Sequence, residues 1–163
     1  MKNKITIAID GPAASGKSTT ARILAEKLKY IYIDTGAMYR AATLAVLDDA
    51  IDINDEEKVS IFIENLKIEL KTGNLTFLND KNVTHLIRAP RINDVISIIS
   101  TYPRVRKKMV ELQQAIAVYG GVVMDGRDIG TVVLPDADLK VFMIASIKQR
   151  ADRRLKELQQ KDE

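Results

Sequence analysis

Residues 5–20 read ITIAIDGPAASGKSTT, an apolar run followed at once by a loop of glycine and small residues. The alternation of isoleucine with threonine and alanine in the first five residues predicts a buried β-strand. The segment TTARILAEKLKY (19–30) has helical spacing, with Ile23, Leu24 and Leu28 on one face. A strand, a glycine-rich loop and a helix in this order predict the opening unit of an α/β fold.

The loop matches the full phosphate-binding pattern G-x-x-x-x-G-K-[ST]. Glycines and small side chains let backbone N–H groups surround a phosphate, and the following helix adds the positive end of its dipole. The lysine would supply a mobile charge for the outer phosphates, and the first serine after it would ligate Mg²⁺ bound to them. A turn that binds nothing is the alternative. The predicted ATP-binding residues are Gly11, Pro12, Ala13, Ala14, Ser15, Gly16, Lys17, Ser18 and Thr19.

The amino-acid composition excludes several classes of protein and of functional site. The chain has 163 residues, 46% of them hydrophobic and 29% charged, which fits one ordinary soluble domain. Because cysteine is absent from the sequence, disulfides, thiolate zinc sites and thiol nucleophiles are excluded. We expect a cytoplasmic protein without a membrane partner, since the sequence shows neither a signal peptide nor a membrane-length apolar run. The net charge of +3 fits surface charge or an anionic ligand; nucleic acid is not expected, since basic residues are scattered and aromatic content is 5%.

Strands and helices alternate along much of the chain. YIYID (30–34) predicts a second strand, and TGAMYRAATLAVLDDA (35–50) a second helix. GVVMD (121–125) and DLKVFMIAS (138–146) predict two more strands, each too apolar for a sheet edge. The closing helix begins after Ser146, its expected N-cap. This alternation predicts a parallel sheet with helices on both faces.

A change of period interrupts this alternation. From about Leu66 apolar and polar residues alternate around Gly73 and Asn74, which predicts an antiparallel hairpin. We interpret residues 60–90 as an insertion that forms a small lobe within a single domain, 1–163. A helical pattern follows and is interrupted near Pro103.

The arginine distribution favours a small-molecule kinase. The guanine-reading motif of regulatory GTPases is absent from the sequence, and Asp125 lacks the adjacent second acid expected of an ATPase motor. Phosphoryl transfer between two anions needs fixed positive charge, which arginine supplies through bidentate forks. Arg40, Arg104, Arg106 and Arg127 follow strand or loop signals, although solvated helix residues are the alternative for Arg40 and Arg106. Loops that follow neighbouring strands are expected to converge on one crevice.

Four stretches, GPAASGKST, DTGAMYR, TYPRVR and DGRDIGTVVLPDADLKVF, resemble the motifs of bacterial cytidylate kinases, a family of P-loop nucleoside monophosphate kinases. The match runs collinearly from about Ile5 to Arg154. The resemblance implies the three-layer α/β/α P-loop NTPase fold with a parallel sheet and an inserted acceptor-nucleotide lobe. It implies transfer of the γ-phosphoryl group of ATP to CMP or dCMP with Mg²⁺, in pyrimidine nucleotide metabolism, by a monomer.

The resemblance also assigns residue roles. The catalytic residues would be Lys17, Arg40 and Arg127. The metal would be held by Ser18, with Asp125 orienting its shell through water. The acceptor nucleotide would be bound by Thr35, Arg40, Ser97, Arg106, Arg127 and Asp128.

Base choice has a chemical explanation at Asp128. An ionised carboxylate accepts a hydrogen bond from the exocyclic amine of cytosine, whereas it would repel the carbonyl oxygen of uracil. Ser97 and Arg106 would complete the surroundings of the ring, by resemblance. The alternative is an aspartate whose side chain is satisfied by nearby backbone.

The sequence departs from the family near its end. The family's lid begins near 155–163, and members continue with further arginines, a strand and a helix, so we expect the lid here to be incomplete. If residues 1–163 were the entire protein, turnover would be severely reduced; the simpler alternative is that they are part of a longer chain. Arg150, Arg153 and Arg154 either reach the ATP phosphates or lie on a solvated helix face. Two other functions stay open: a P-loop kinase for another acceptor such as UMP, AMP or shikimate, and a nucleotide- or RNA-binding module without turnover.

Overall fold

A computed structural model describes residues 4–71 and 73–159 of the chain. It divides into two compact units, the first formed by residues up to Tyr32 and from Tyr119 onward, the second by Ile33–Val118. In chain order the elements are β1 (Thr6–Asp10), α1 (Lys17–Leu28), β2 (Ile31–Asp34), α2 (Thr35–Asp48), α3 (Glu56–Glu64), β3 (Ile68–Lys71), β4 (Leu75–Leu78), β5 (Lys81–Asn82), α4 (Pro90–Ile99), α5 (Pro103–Ala117), β6 (Val122–Gly126), β7 (Leu139–Phe142) and α6 (Ile147–Gln159).

The main sheet has four strands in the order β2-β6-β1-β7. All residues of β1 are buried, and this strand pairs in parallel with β6, where Thr6 lies opposite Val122, and with β7, where Ile7 lies opposite Leu139. A central strand with neighbours on both sides needs apolar residues on both faces, as the isoleucine-rich sequence of β1 provides. The predicted α/β class with a parallel sheet is confirmed.

One expectation about the first unit is wrong. In the described sheet β7 is an edge strand, and Phe142 is 68% exposed, although its apolar sequence predicted an interior position. Apolar composition reflects what covers the faces of a strand and does not fix how many strands lie beside it. In α1 the buried residues are Ala21 and Ala25, while Ile23 is 47% exposed, because small residues let this helix lie close to the sheet.

The second unit contains the predicted hairpin. Strands β3 and β4 pair antiparallel, with Ile68 opposite Leu78, and β5 adds a third short strand. Gly73 and Asn74 have positive φ, at +80° and +59°, as the turn requires. The expected break near Pro103 separates α4 from α5. The boundaries of the lobe proposed at 60–90 stay a prediction.

The closing helix α6 begins with a capping box. The backbone N–H of Gln149 donates to Ser146 Oγ, and Gln149 Oε1 accepts from the backbone N–H of Ser146, both at 3.2 Å. The predicted N-cap is therefore confirmed. Residues 160–163, in which part of the lid was expected, lie outside the described residues. Within the described ranges, none of the helices combines the length and apolarity needed to cross a membrane.

Candidate active site

The phosphate-binding loop joins β1 to α1 through left-handed backbone. Gly11 has φ +147°, Ala14 +59° and Gly16 +100°. A Cβ at Gly11 would collide with the carbonyl oxygen of Met143, so glycine is required there. Gly16 occupies the N-cap position of α1, where it offers no side chain to the first N–H groups of the helix. Those donors are thus open to an anion, as the sequence motif predicts.

Lys17 is held within the loop. Its Nζ donates to the carbonyl oxygen of Pro12 at 2.8 Å. Burial lowers the pKa of Lys17 below its usual 10.5, the charge of Asp125 opposes this, and the charges of Arg127 and Arg150 lower it further. Desolvation and repulsion by neighbouring cations both destabilise the charged form of Lys17. An anionic ligand would offset both effects.

A cavity of about 510 Å³ adjoins the loop. Ser15, Gly16 and Thr19 contribute to its lining from the loop and α1, and Arg153 and Lys156 from α6. The Ser15 hydroxyl oxygen is buried and has no hydrogen-bond partner among the described residues. A buried unsatisfied hydroxyl is costly, and a phosphate oxygen would accept a hydrogen bond from it. The cavity therefore has the polarity of an anion site.

Ser18 and Asp125 form the candidate metal site. Ser18 Oγ donates to Asp125 Oδ2 at 2.7 Å, and the Tyr32 hydroxyl donates to Oδ1 of the same carboxylate at 2.8 Å. Asp125 lies in β6 and is 5% exposed. In the described part of the chain, no three acidic, histidine or cysteine residues are grouped as a metal cage. A hydroxyl and one carboxylate beside a phosphate site suit Mg²⁺, which keeps several waters and takes further ligands from phosphates.

The segment after β6 is anchored by Asp10. Its Oδ1 accepts from the N–H of Ile129 and its Oδ2 from the N–H of Gly130, both at 2.8 Å. This fixes a π-helical turn over residues 129–133, directly after the predicted site residues Arg127 and Asp128. Arg127 is exposed and Asp128 half-buried. Asp128 directly precedes this turn, and its role at the acceptor nucleotide stays a prediction.

Two arginines of α6 contact the loop. Arg150 Nε donates to the carbonyl oxygen of Ala13 at 2.9 Å, and Arg153 Nη1 to that of Ala14 at 3.1 Å. These two arginines lie beside the phosphate loop, and whether they reach the ATP phosphates stays a prediction.

The second unit holds the remaining predicted site residues. Arg40 Nη1 donates to Asn93 Oδ1 at 2.7 Å, which ties α2 to α4. Asp34 caps α2 by accepting from the N–H of Ala37, and its other oxygen pairs with Arg88 Nη2 at 2.9 Å. The amide of Asn93 thus orients the guanidinium of Arg40.

Thr35, Ser97 and Arg106 complete this group. Thr35 is buried in the first turn of α2, Ser97 is exposed on α4, and Arg106 is half-buried in α5. Within the first unit, the structure brings Lys17, Ser18 and Asp125 together. That the two groups serve one substrate pair stays a prediction.

Four residues with contacts to the site were not predicted: Asp10, Tyr32, Arg88 and Asn93. Asp10 and Tyr32 lie in strands that lead to the site, which is the signal that could have found them. The sequence contains no comparable signal for Arg88 and Asn93, because their partners lie 54 and 53 residues away.

Comparison with known proteins agrees with this arrangement. The family model described as cytidylate kinase matches residues 7–163. Proteins named cytidylate kinase from Bacillus thuringiensis (strain Al Hakam), Bacillus cereus (strain AH187) and Bacillus anthracis (strain CDC 684 / NRRL 3495) are each 53% identical to this chain over 157 residues. The alignments cover 94% of this chain and 70% of each relative. With its phosphate loop, the Ser18–Asp125 pair and these matches, the chain belongs to the cytidylate kinase family.

Proposed function

We propose that this protein transfers the γ-phosphoryl group of ATP to CMP or dCMP and so produces ADP and CDP or dCDP. The proposal is carried by one observation in a chain of the cytidylate kinase family. Lys17, held by the phosphate loop, lies beside the hydrogen-bonded pair that Ser18 forms with Asp125 of β6. The role in pyrimidine nucleotide metabolism follows from this reaction.

The donor phosphates would bind to the loop and α1. Gly11 and Gly16 allow the backbone conformation, and Lys17 supplies a charge that burial has already destabilised. An arriving phosphate would exchange the Lys17–Pro12 hydrogen bond for an ionic one. Arg153 and Lys156 add positive charge at the lining of the adjoining cavity. This set neutralises the crowded negative charge of the reaction.

Ser18 and Asp125 would hold Mg²⁺, the first as a direct ligand and the second through its water shell. A metal held by these residues would supply positive charge that stabilises the negative charge of the donor phosphates. The Ser18 hydroxyl donates a hydrogen bond to Asp125, which leaves its oxygen lone pairs available.

Acceptor binding is assigned to residues that follow β2 and β6. Arg40 and Arg127 would hold the phosphate of CMP, and Thr35 would contact the same nucleotide. The acceptor oxygen is already an anion, so the reaction needs orientation and charge neutralisation and does not need a general base or a covalent intermediate. This explains why arginine is the dominant functional residue type in this set.

Base selection is assigned to Ser97, Arg106 and Asp128. The Asp128 carboxylate would accept from the cytosine amine and would repel the uracil carbonyl. We further propose that the protein acts as a monomer in the cytoplasm.

A panel of acceptors tests this function. ADP production is measured with CMP, dCMP, UMP, AMP and no acceptor, at equal ATP and Mg²⁺. We expect CMP and dCMP to raise the rate well above the others. Equal rates with UMP or AMP would favour another nucleoside monophosphate kinase, and acceptor-independent ADP release or salt-sensitive RNA binding alone would reject the proposal.

A further inference from the structure

Tyr32 is a half-buried tyrosine with a defined polar partner that the proposed reaction does not use. It lies in β2, and its ring packs against the apolar cluster that contains Ile9, Ala25 and Val123. Its hydroxyl donates to Asp125 Oδ1 at 2.8 Å. The two residues are 93 positions apart in the sequence, so the contact depends on the fold of the sheet.

We propose that Tyr32 is a positioning residue for the metal site: it fixes the carboxylate of Asp125, and through that carboxylate it orients the Ser18 hydroxyl. This inference rests on the proposed function, in which Ser18 and Asp125 bind Mg²⁺.

The hydrogen bonds define the orientation of both groups. Asp125 Oδ1 accepts from Tyr32, and Oδ2 accepts from Ser18 Oγ at 2.7 Å. A serine hydroxyl has one proton and two lone pairs. When the Ser18 O–H bond points to Asp125, the two lone pairs of the Ser18 oxygen point away from Asp125. A metal ligand needs lone pairs that are available in this way.

Tyr32 adds order at the Asp125 carboxylate. The terminal torsion of an aspartate is broad and roughly two-fold, so a hydrogen bond at one oxygen restrains the carboxylate plane less than hydrogen bonds at both and leaves it some freedom to turn. A second donor, on a ring that is held by apolar packing, removes that freedom. Partners of this kind behind metal ligands change metal affinity by about 10–100-fold when they are removed.

A matched control is available two residues away. Tyr30 packs against the same cluster, but its hydroxyl accepts from the backbone N–H of Ile5 at 3.1 Å and does not contact Asp125. The substitutions Tyr32→Phe and Tyr30→Phe each keep the ring and remove one hydroxyl. A general effect of losing a tyrosine hydroxyl in this cluster would appear in both variants.

The test measures metal affinity directly. Binding of Mn²⁺ to the complex of protein and ATP is followed by electron paramagnetic resonance without an acceptor, and ATP affinity is measured in EDTA by calorimetry. We expect Tyr32→Phe to weaken Mn²⁺ binding by about tenfold and to leave ATP affinity in EDTA unchanged, while Tyr30→Phe alters neither. In an Asp125→Ala background, Tyr32→Phe should have no further effect, because the group it positions is absent.

Three results would overturn the inference. They are Mn²⁺ affinity within about twofold of wild type in Tyr32→Phe, an equal loss of ATP affinity in EDTA, or an undiminished effect in Asp125→Ala. A different result would refute the proposed function and leave the inference about Tyr32 intact. A protein that binds Mn²⁺ with ATP and responds to Tyr32→Phe as expected, but transfers no phosphoryl group to CMP, refutes the proposed function and supports the role of Tyr32.

Discussion

The carboxylate of Asp10, at the end of β1, accepts a hydrogen bond from the backbone N–H of Ile129 at 2.8 Å. A second bond of the same length joins it to Gly130. Asp10 is 8% exposed, and Ile129 and Gly130 are buried. The Asp10 carboxylate therefore takes the place of water as the acceptor for these two buried N–H groups. It also connects the end of β1, where the phosphate loop begins, to the segment that carries Arg127 and Asp128.

Removal of the Asp10 carboxylate should destabilise the protein. Asp10→Ala leaves two buried N–H groups without an acceptor and is expected to lower the free energy of unfolding by about 3 kcal/mol. Asp10→Asn keeps one acceptor oxygen and should lose about half as much. Urea unfolding followed by circular dichroism measures both. Stability equal to wild type in Asp10→Ala would show that the two bonds contribute nothing net.

Asn93 should support acceptor binding through Arg40. Because Arg40 Nη1 donates to Asn93 Oδ1, Asn93→Ala leaves the guanidinium less well oriented. We expect the KM for CMP to rise about fivefold, against about 100-fold for Arg40→Ala, with the KM for ATP unchanged in both. Steady-state kinetics with each substrate varied in turn measures the effect. An equal rise in the KM for ATP would indicate a general structural defect.

Asp128 should determine the choice of base. Asp128→Asn introduces an amide that donates to the uracil carbonyl and no longer repels it, so the ratio of kcat/KM for CMP over UMP should fall by at least about tenfold. Glu111→Gln removes an exposed carboxylate on α5 and serves as a charge-matched control. An unchanged ratio in Asp128→Asn would contradict the assignment of base selection to this residue.

The pKa of Lys17 gives a pH dependence of ATP binding. Burial lowers this pKa below 10.5 in the free protein, and bound phosphates would raise it. ATP binding is therefore at full strength below the pKa of the free protein and weakens as the pH rises through it. Calorimetry between about pH 8 and about pH 10.5 should show a fall in affinity of up to about tenfold per pH unit.

A lysine-to-arginine variant provides the control for this pH effect. Arginine stays charged throughout the same range, so Lys17→Arg should show a flat profile, whatever its absolute affinity. Parallel profiles for the two proteins would mean that Lys17 is not the titrating group.

The parts of the fold predicted from sequence are those with a local signal. The loop lies between a strand and a helix as its motif requires, and Pro103 marks the start of α5 because its ring excludes the preceding residue from helix. Helix α3 was not predicted, although Asp55 accepts from the N–H of Lys58 and Glu56 and Glu57 form the first turn. That capping signal was present in the sequence and was overlooked beside the stronger alternation of the hairpin.

The parts that were missed depend on contacts between distant segments. The Tyr32–Asp125 and Asp10–Ile129 bonds join residues 93 and 119 positions apart, and they form only once the register of the parallel sheet is set. The burial of Ala21 and Ala25 in α1 likewise depends on packing against the sheet, because a closely packed helix buries small residues at the contact. Motifs thus predict candidate reacting groups, while the contacts that hold those groups in place are visible only in the structure.

The most direct test of phosphoryl transfer is ³¹P nuclear magnetic resonance of ATP, CMP and Mg²⁺ mixed with this protein at stoichiometric concentration, so that slow turnover is also detected. The proposed function predicts growth of the two phosphorus signals of CDP in step with those of ADP, and loss of both in Lys17→Met. ADP and inorganic phosphate without CDP, or CDP formation that persists in Lys17→Met, would contradict it.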